Sequence, residues 1–365
     1  MSEANLALHL KQCIQKVATG PEYSKDLSYT EAYQAMQHIL SAKADPVQTA
    51  IYLIALRMKR ETDEENRGTL QALIDQSTIS QAAVDELVDI SDPYDGFARG
   101  VPASSFVPAV LASLGLPAVV HGLDSVGPKY GATHHKILKA AGVKVDLSPQ
   151  QATQQLEQWG WTYIDQASFA PALHALVPLR QRMVKRQVLT TVETMLGPIR
   201  ARKKTHCMGG YVHKAYPPIY ASLARQAGFT SAIFVRGVEG GIIPSLQQAG
   251  RLFAYQDQAQ EYQVDLAPQA LDIVAETRAV PLSADLVPAD NALIDSDALA
   301  AEAAGLGLAA LAGQRGLTYD SLVYACAICL HQLQRYPDLP AAAQAVRKTI
   351  DSGQALKFFK AAQQP

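Results

Sequence analysis

Residues 121–143, HGLDSVGPKYGATHHKILKAAGV, carry chemistry-bearing side chains on a turn between an apolar run and a helical pattern. Lys129, Ser125, Gly127, Gly131 and Thr133 lie on that turn. Backbone N–H groups, a hydroxyl and a point charge at a helix start suit an anion. The same residues also make a plain strand-to-helix turn with an exposed lysine. His134 and His135 follow at i, i+1 and point apart on a helix. No i+4 partner or neighbouring carboxylate completes a metal pair, so they read as solvated helix histidines. A second concentration is Arg180, Arg182, Lys185, Arg186, Arg200, Arg202, Lys203 and Lys204: eight cations within 25 residues, opposed inside the run only by Glu193. On a helix Arg182, Lys185 and Arg186 share one face. Such a patch suits nucleic-acid phosphates, or is a solvated face; few aromatics flank it for base stacking. Cys326 and Cys329 have CxxC spacing inside the apolar helical run SLVYACAICLHQL, with no second CxxC. That context predicts buried core thiols rather than a metal or redox pair.

These residues need a scaffold, and the chain is long enough to supply one. It has 365 residues, 48% hydrophobic and 18% charged, which suits one large or two ordinary globular domains with a sizeable core. A net charge of −2 excludes a generally basic nucleic-acid binder but not a local patch. No secretory leader and no membrane-length apolar run is read, so a cytoplasmic location and no membrane partner are expected.

The first 75 residues read as helices. SYTE (Ser28 to Glu31) is a capping box, Asp45 caps a helix with Pro46 at its first position, and Thr62 caps another with Glu65 three residues on. From about residue 85 the period changes. PAVVHG, KVDLS, WTYID, AIFVRGVEG and YQVDLAP read as short strands, separated by helical FVPAVLASLG and YPPIYASLARQAG, each ending at Gly. This alternation predicts an α/β fold with a mostly parallel central sheet flanked by helices. Val177, Val184, Val188, Val192 and Met195 fall on one helical face, and Gly197-Pro198 stops the pattern. One long helix is expected there, packed back on the N-terminal helices. The C-terminal stretch reads as helical.

Taken in order, the segments IALRMKRETDEENRGTLQALID, LGLPAVVHG, SFAPALHALVPLRQRM, FVRGVEGG, EYQVDLAPQALDI and TIDSGQALKFF resemble the anthranilate phosphoribosyltransferases of glycosyltransferase family 3. These enzymes share their fold with pyrimidine nucleoside phosphorylases. The resemblance implies a small helical domain, residues 1–78 with an inserted helix in 175–200. It packs on an α/β domain of 79–174 and 201–365, with the ligand in the cleft between them and a homodimer through the helical domain. It also implies phosphate-binding roles for Ser104, Ser105, His121, Gly122, Ser125, Lys129, Gly131 and Thr133, and an acceptor-binding role for Arg180. Asp95 and Glu239 are the carboxylates it puts nearest the cleft.

The signature motifs of the family are altered. The Gly-Thr-Gly-Gly-Asp loop, which binds phosphoribosyl pyrophosphate (PRPP), falls on Asp92 to Gly96, where a proline removes one N–H donor. The family's Mg²⁺-holding Asp-Glu pair falls on Ile242-Ile243, and hydrocarbon cannot ligate a hard cation. The chain thus resembles a divergent second branch of the family that includes nucleic-acid binders. The reading is a protein binding a phosphorylated ribose or nucleotide in the cleft, with ordinary anthranilate transfer weak or absent. If it is an enzyme, it is a pentosyl transferase with an altered substrate. The alternative is a non-enzymatic homodimer binding nucleic acid through the basic 180–204 run.

Overall fold

The computed structural model describes residues 3–20, 22–289 and 292–363. Four helices come first: α1 (Glu3–Val17), α2 (Tyr29–Leu40), α3 (Pro46–Lys59) and α4 (Asp63–Asp75). The starts of the last three follow from local hydrogen bonds. Ser28 and Glu31 form a reciprocal capping box, as do Thr62 and Glu65, and the Asp45 carboxylate accepts from the Gln48 N–H at 2.9 Å. Glu65 is fully buried yet satisfied: it also accepts from the Leu27 N–H at 2.8 Å and from Lys59 at 2.9 Å. α2 and α4 meet at Gly68, where a Cβ would lie 2.3 Å from the Tyr29 carbonyl oxygen. Only glycine permits that approach.

The second part is a seven-stranded sheet in the order Trp161–Asp165, Ala118–Gly122, Glu86–Ser91, Lys204–Tyr211, Ser231–Arg236, Gly250–Tyr255, Tyr262–Leu266. The first five strands are parallel, and Gly250–Tyr255 runs antiparallel to both of its neighbours. Alternate residues feed two different cores, as the strand period of two requires. Val88, Ile90, Val120, Met208, Ile233 and Val235 face one, with the C-terminal helices. Leu87, Val119, Cys207, Ala232 and Phe234 face the other, with α1–α4. The fold class read from the sequence is therefore the one observed: a helical domain beside a larger, mostly parallel α/β domain.

Two expected elements are absent. KVDLS, residues 144–148, forms no strand. Val145 and Leu147 are buried, so the alternation is real, but no strand lies alongside to pair with it. The segment instead delivers Ser148 as the N-cap of the helix Pro149–Trp159. The long helix over 177–196 is also not one helix. Val177–Met183 ends at Val184, which is left-handed (φ 61°) and 68% exposed; a second helix, Val188–Val192, and a 3₁₀ turn, Glu193–Met195, follow. The pieces do pack on α3 and α4. Val188, Val192 and Met195 keep their buried face, but Val184 does not.

No helix among the described residues is long and apolar enough to cross a membrane. All four cysteines are free and buried. Burial pushes Cys13 and Cys329 up to about 12, and Cys207 and Cys326 well above the ordinary thiol value. Thiolate is the reactive form, so these groups are inert when folded. A chromogenic disulfide reagent at pH 8 is expected to titrate no thiol in the native protein and four after unfolding in guanidinium.

Candidate functional site

The chain enters the sheet at Glu86–Ser91, runs outward on one side through Ala118–Gly122 and Trp161–Asp165, then returns to the other side at Lys204–Tyr211. The strand order reverses between Glu86–Ser91 and Lys204–Tyr211. Open α/β sheets bind ligands outside the carboxyl ends of the strands at such a point. A cleft of about 480 Å³ opens there. The sheet side contributes Ser91, Asp95, Lys129, Gly210 and Glu239. The helical side contributes Arg57 of α3 and Gln187, Thr190, Thr191 and Thr194 from the broken helix.

The break at Val184 is what presents those polar residues. Arg180 and Glu193 are 13 residues apart, about 20 Å along a continuous helix at 1.5 Å per residue. In the structure they form a bidentate pair at 2.6 and 2.7 Å, and both side chains are 1% exposed. Gln166 donates to the same carboxylate at 3.2 Å. With its amide oriented by its neighbours, Gln187 accepts from Arg180 Nε at 2.9 Å and donates to the Lys185 carbonyl at 3.1 Å. The expected acceptor-binding role of Arg180 therefore needs correction. Its guanidinium is buried beneath the cleft wall and its hydrogen bonds go to protein.

The basic run is likewise not one face. Arg200 is half-buried, stacked over the Phe229 ring at 4.1 Å and bonded to the Leu196 and Ala227 carbonyls. Arg186 pairs with Asp95 at 2.6 Å, Arg202 and Lys203 with Asp85 at 3.1 and 2.8 Å, and Lys204 with Asp257 at 2.8 Å. The sequence shows one opposing carboxylate; the fold brings in three more from distant segments. The turn at Val184 also separates Arg182 from Lys185 and Arg186, which share no helix face.

Around the anion-like turn, two backbone donors are already used. Gly131 N–H donates to the Asp95 carbonyl at 2.9 Å, and Ala132 N–H to the Phe97 carbonyl at 2.8 Å. Gly131 is required here, because a Cβ would sit 2.3 Å from the Phe97 carbonyl oxygen. Residues 95–97 and 131–132 are thus zipped together. Thr133 accepts from Lys136 N–H as the cap of the helix His134–Ala140. Lys129 does reach the cleft, with Nζ 3.3 Å from Glu239 and 3.7 Å from Asp95. Asp95 and Glu239 both line the cleft as well.

The other expected ligands lie elsewhere. His121 is fully buried; Nε2 is 2.8 Å from the Asp89 carboxylate and Nδ1 meets the Tyr94 hydroxyl. Gly122 is buried beside it, and Ser125 is half-buried off the cleft wall. Ser105 bonds to His134 Nδ1 at 2.7 Å, and Ser104 lines a separate apolar crevice with Phe97 and Ile242. The reading of His134 and His135 as solvated is overturned. His134 Nε2 lies 3.3 Å from Asp92, and His135 Nδ1 2.7 Å from Asp165. Those carboxylates are remote in sequence, so spacing could not show them. Among the described residues no group of three or more His, Cys, Asp or Glu is arranged to hold a metal.

Sequence reasoning missed the helical wall. Arg57 donates to the Tyr216 hydroxyl at 2.8 Å and lies 3.5 Å from Glu61. Burial works against the Arg57 charge, but Tyr216 and Glu61 outweigh it and hold its pKa above the ordinary value. Burial pushes the Glu61 carboxyl above its ordinary value. Tyr216 and Tyr220 pack beside the cleft with ring centroids 5.5 Å apart and planes tilted by 51°.

Residues 11–77 match the helical bundle domain of the glycosyl transferase family, and residues 100–356 match its a/b domain. The chain belongs to the glycosyl transferase family. Among its relatives, the anthranilate phosphoribosyltransferase of Desulforamulus reducens is 28% identical over 95% of this chain and 94% of its own. That of Bacillus caldotenax is 31% identical over 63% of this chain and 91% of its own. An uncharacterised Aquifex aeolicus protein is 29% identical over 64% of this chain and 70% of its own. The anthranilate phosphoribosyltransferase of Saccharomyces cerevisiae in complex with PRPP and Mg has the same fold: TM-score 0.76, 17% identity, 99% of this chain and 97% of that one. That of Thermus thermophilus superposes with TM-score 0.74 at 18% identity, over 97% of this chain and 98% of that one. This glycosyl transferase family member carries Ile242 and Ile243 where the resemblance puts an Mg²⁺-holding pair. Ile242 is fully buried and Ile243 packs against the same core, so their side chains do not fit a magnesium ion.

The Arg180–Glu193 pair gives a direct test of the broken helix. Glu193→Ala leaves a buried guanidinium uncompensated and should cost about 3–5 kcal/mol, read by urea unfolding. Arg180→Met combined with Glu193→Leu should recover most of that loss.

Proposed function

We propose that this protein binds a phosphorylated ribose or a nucleotide in the interdomain cleft. The observation that carries the reading is the composition of the cleft at the switch point. Arg57, Arg99, Lys129 and Arg186 line it against two carboxylates, Asp95 and Glu239. Four cations against two anions favour an anionic ligand. Tyr216 and Tyr220 offer a face for a ring, and Thr190, Thr191 and Thr194 offer hydroxyls for a sugar. Similarity to anthranilate phosphoribosyltransferases supports a pentosyl ligand. Ile242 and Ile243, together with an Arg180 already saturated by Glu193, argue for weak or absent transfer to anthranilate. Any reaction here would depend on positioning and electrostatic stabilisation by the cleft cations. The dispersal of the basic run lends no support to nucleic acid as the ligand.

Calorimetric titration with PRPP, ribose 5-phosphate and AMP, each with and without Mg²⁺, tests the reading. Binding of at least one of them, little changed by Mg²⁺ and weakened about tenfold (1.4 kcal/mol) by Arg186→Ala, is expected. Failure of all three to bind, with salt-sensitive DNA binding in their place, would reverse it. Turnover of PRPP with anthranilate should fall far below the enzyme median of roughly 10 s⁻¹.

We further propose a homodimer through the helical domain. On α3, Val47 (64% exposed), Ile51 (45%) and Met58 (78%) lie at i, i+4 and i+11, with half-buried Ile54 between them at i+7. That spacing makes one apolar stripe facing outward. Light scattering should report a dimer for the wild type and a monomer for Met58→Asp.

A further inference from the structure

The Glu239 carboxylate is held as a bound anion would be. It accepts from Ala98 N–H at 3.1 and 3.2 Å and from Arg99 N–H at 2.8 Å, and Lys129 Nζ approaches it at 3.3 Å. Two successive backbone donors and one ammonium converge on a single point, the arrangement of an anion-binding nest. All four residues line the cleft, so the nest opens onto it. The Glu239 side chain fills it to the point of being only 7% exposed.

The loop that delivers this carboxylate is a glycine-rich turn, Gly237 to Gly241, with Glu239 itself left-handed at φ 54°. Such a conformation is unfavourable for a residue with a side chain and persists where other contacts enforce it. Here the nest supplies such a contact. With Glu239 withdrawn, the two N–H groups would have no acceptor. Lys129 would keep the Phe97 ring at 5.5 Å and, as its carboxylate, Asp95 at 3.7 Å, which Arg186 already holds at 2.6 Å. A vacant nest therefore calls for a replacement anion, and the neighbouring Arg57, Arg99 and Arg186 favour one of higher charge.

We propose that Ala98, Arg99 and Lys129 form a phosphate site that Glu239 occupies in the free protein. A phosphate-bearing ligand enters by displacing this carboxylate. The inference deepens the cleft reading and rests on it for the class of ligand; the exchange itself is a separate claim.

The test is calorimetric titration of the full chain with inorganic pyrophosphate and, separately, with PRPP. Glu239→Ala should bind pyrophosphate at least about tenfold more tightly than the wild type. Glu239→Gln, which keeps an acceptor but loses the charge, should fall between them. Adding Lys129→Ala to Glu239→Ala should remove the gain. Hydrogen exchange separates local binding from a general change of charge: pyrophosphate should protect the Ala98 and Arg99 amides in Glu239→Ala. No gain in either Glu239 variant, or a gain without that protection, overturns the proposal. If Glu239→Ala does not fold, the Gln variant decides by the same two readouts. PRPP binding to the wild type without any pyrophosphate gain would leave the cleft reading standing and remove this one. A pyrophosphate gain with no PRPP binding to any form would do the reverse.

Discussion

The cleft depends on a buried ion pair. Arg180 and Glu193 are both withdrawn from water, and burying either charge there without the other is costly. The apolar spacing of Val177, Val184, Val188, Val192 and Met195 favours one long helix. A straight helix would strand the two charges about 20 Å apart. The chain breaks at Val184, accepts an unfavourable backbone angle on a β-branched residue, and closes the pair. The turn that results directs Arg186 to Asp95 and sets Gln187 and Thr190 on the cleft. A polar wall thus exists because two charged groups further down had to meet.

A second regularity is that most polar groups near the cleft are satisfied by the protein itself. The Asp92 carboxylate takes the Ile242 N–H at 2.9 Å and faces His134. Asp95 takes Arg186, and Glu239 takes Ala98 and Arg99. The N–H groups of Gly131 and Ala132 go to carbonyls of the 95–97 segment. In a glycine-rich phosphate loop those donors would be left for the ligand. Here carboxylates and carbonyls take them up, which is the observation behind the proposed exchange at Glu239.

Beneath the cleft, histidine–carboxylate pairs hold the strand ends together. His121 links Asp89 and Tyr94, and His135 links Asp165 with Tyr163 nearby. Burial, with Asp89 and Asp165 contributing, raises both tyrosines well above their ordinary value, so they stay protonated as donors. Closed networks of this kind rigidify the floor of the cleft.

Local interactions were legible in the sequence. Ser28, Asp45 and Thr62 act within three residues of themselves, so their types and spacing fixed three helix starts. The alternation in AVVHG and SAIFVR follows the two faces of a sheet buried on both sides, and the order of such runs carried the fold class and the family resemblance. KVDLS marks the limit: alternation reports burial, but a strand also needs a neighbour. The site was only partly readable for the same reason. Lys129, Asp95 and Glu239 could be placed near the cleft, yet Lys129 and Glu239 are 110 residues apart and Arg186 and Asp95 are 91 apart. Whether a cation faces solvent, a ligand or a carboxylate depends on which distant segment folds against it. The places of Arg180, Arg200 and the two histidines are hidden from sequence reasoning because most of their partners come from elsewhere in the chain. Pairing between remote charges is decided by tertiary packing, since burying one of them demands the other.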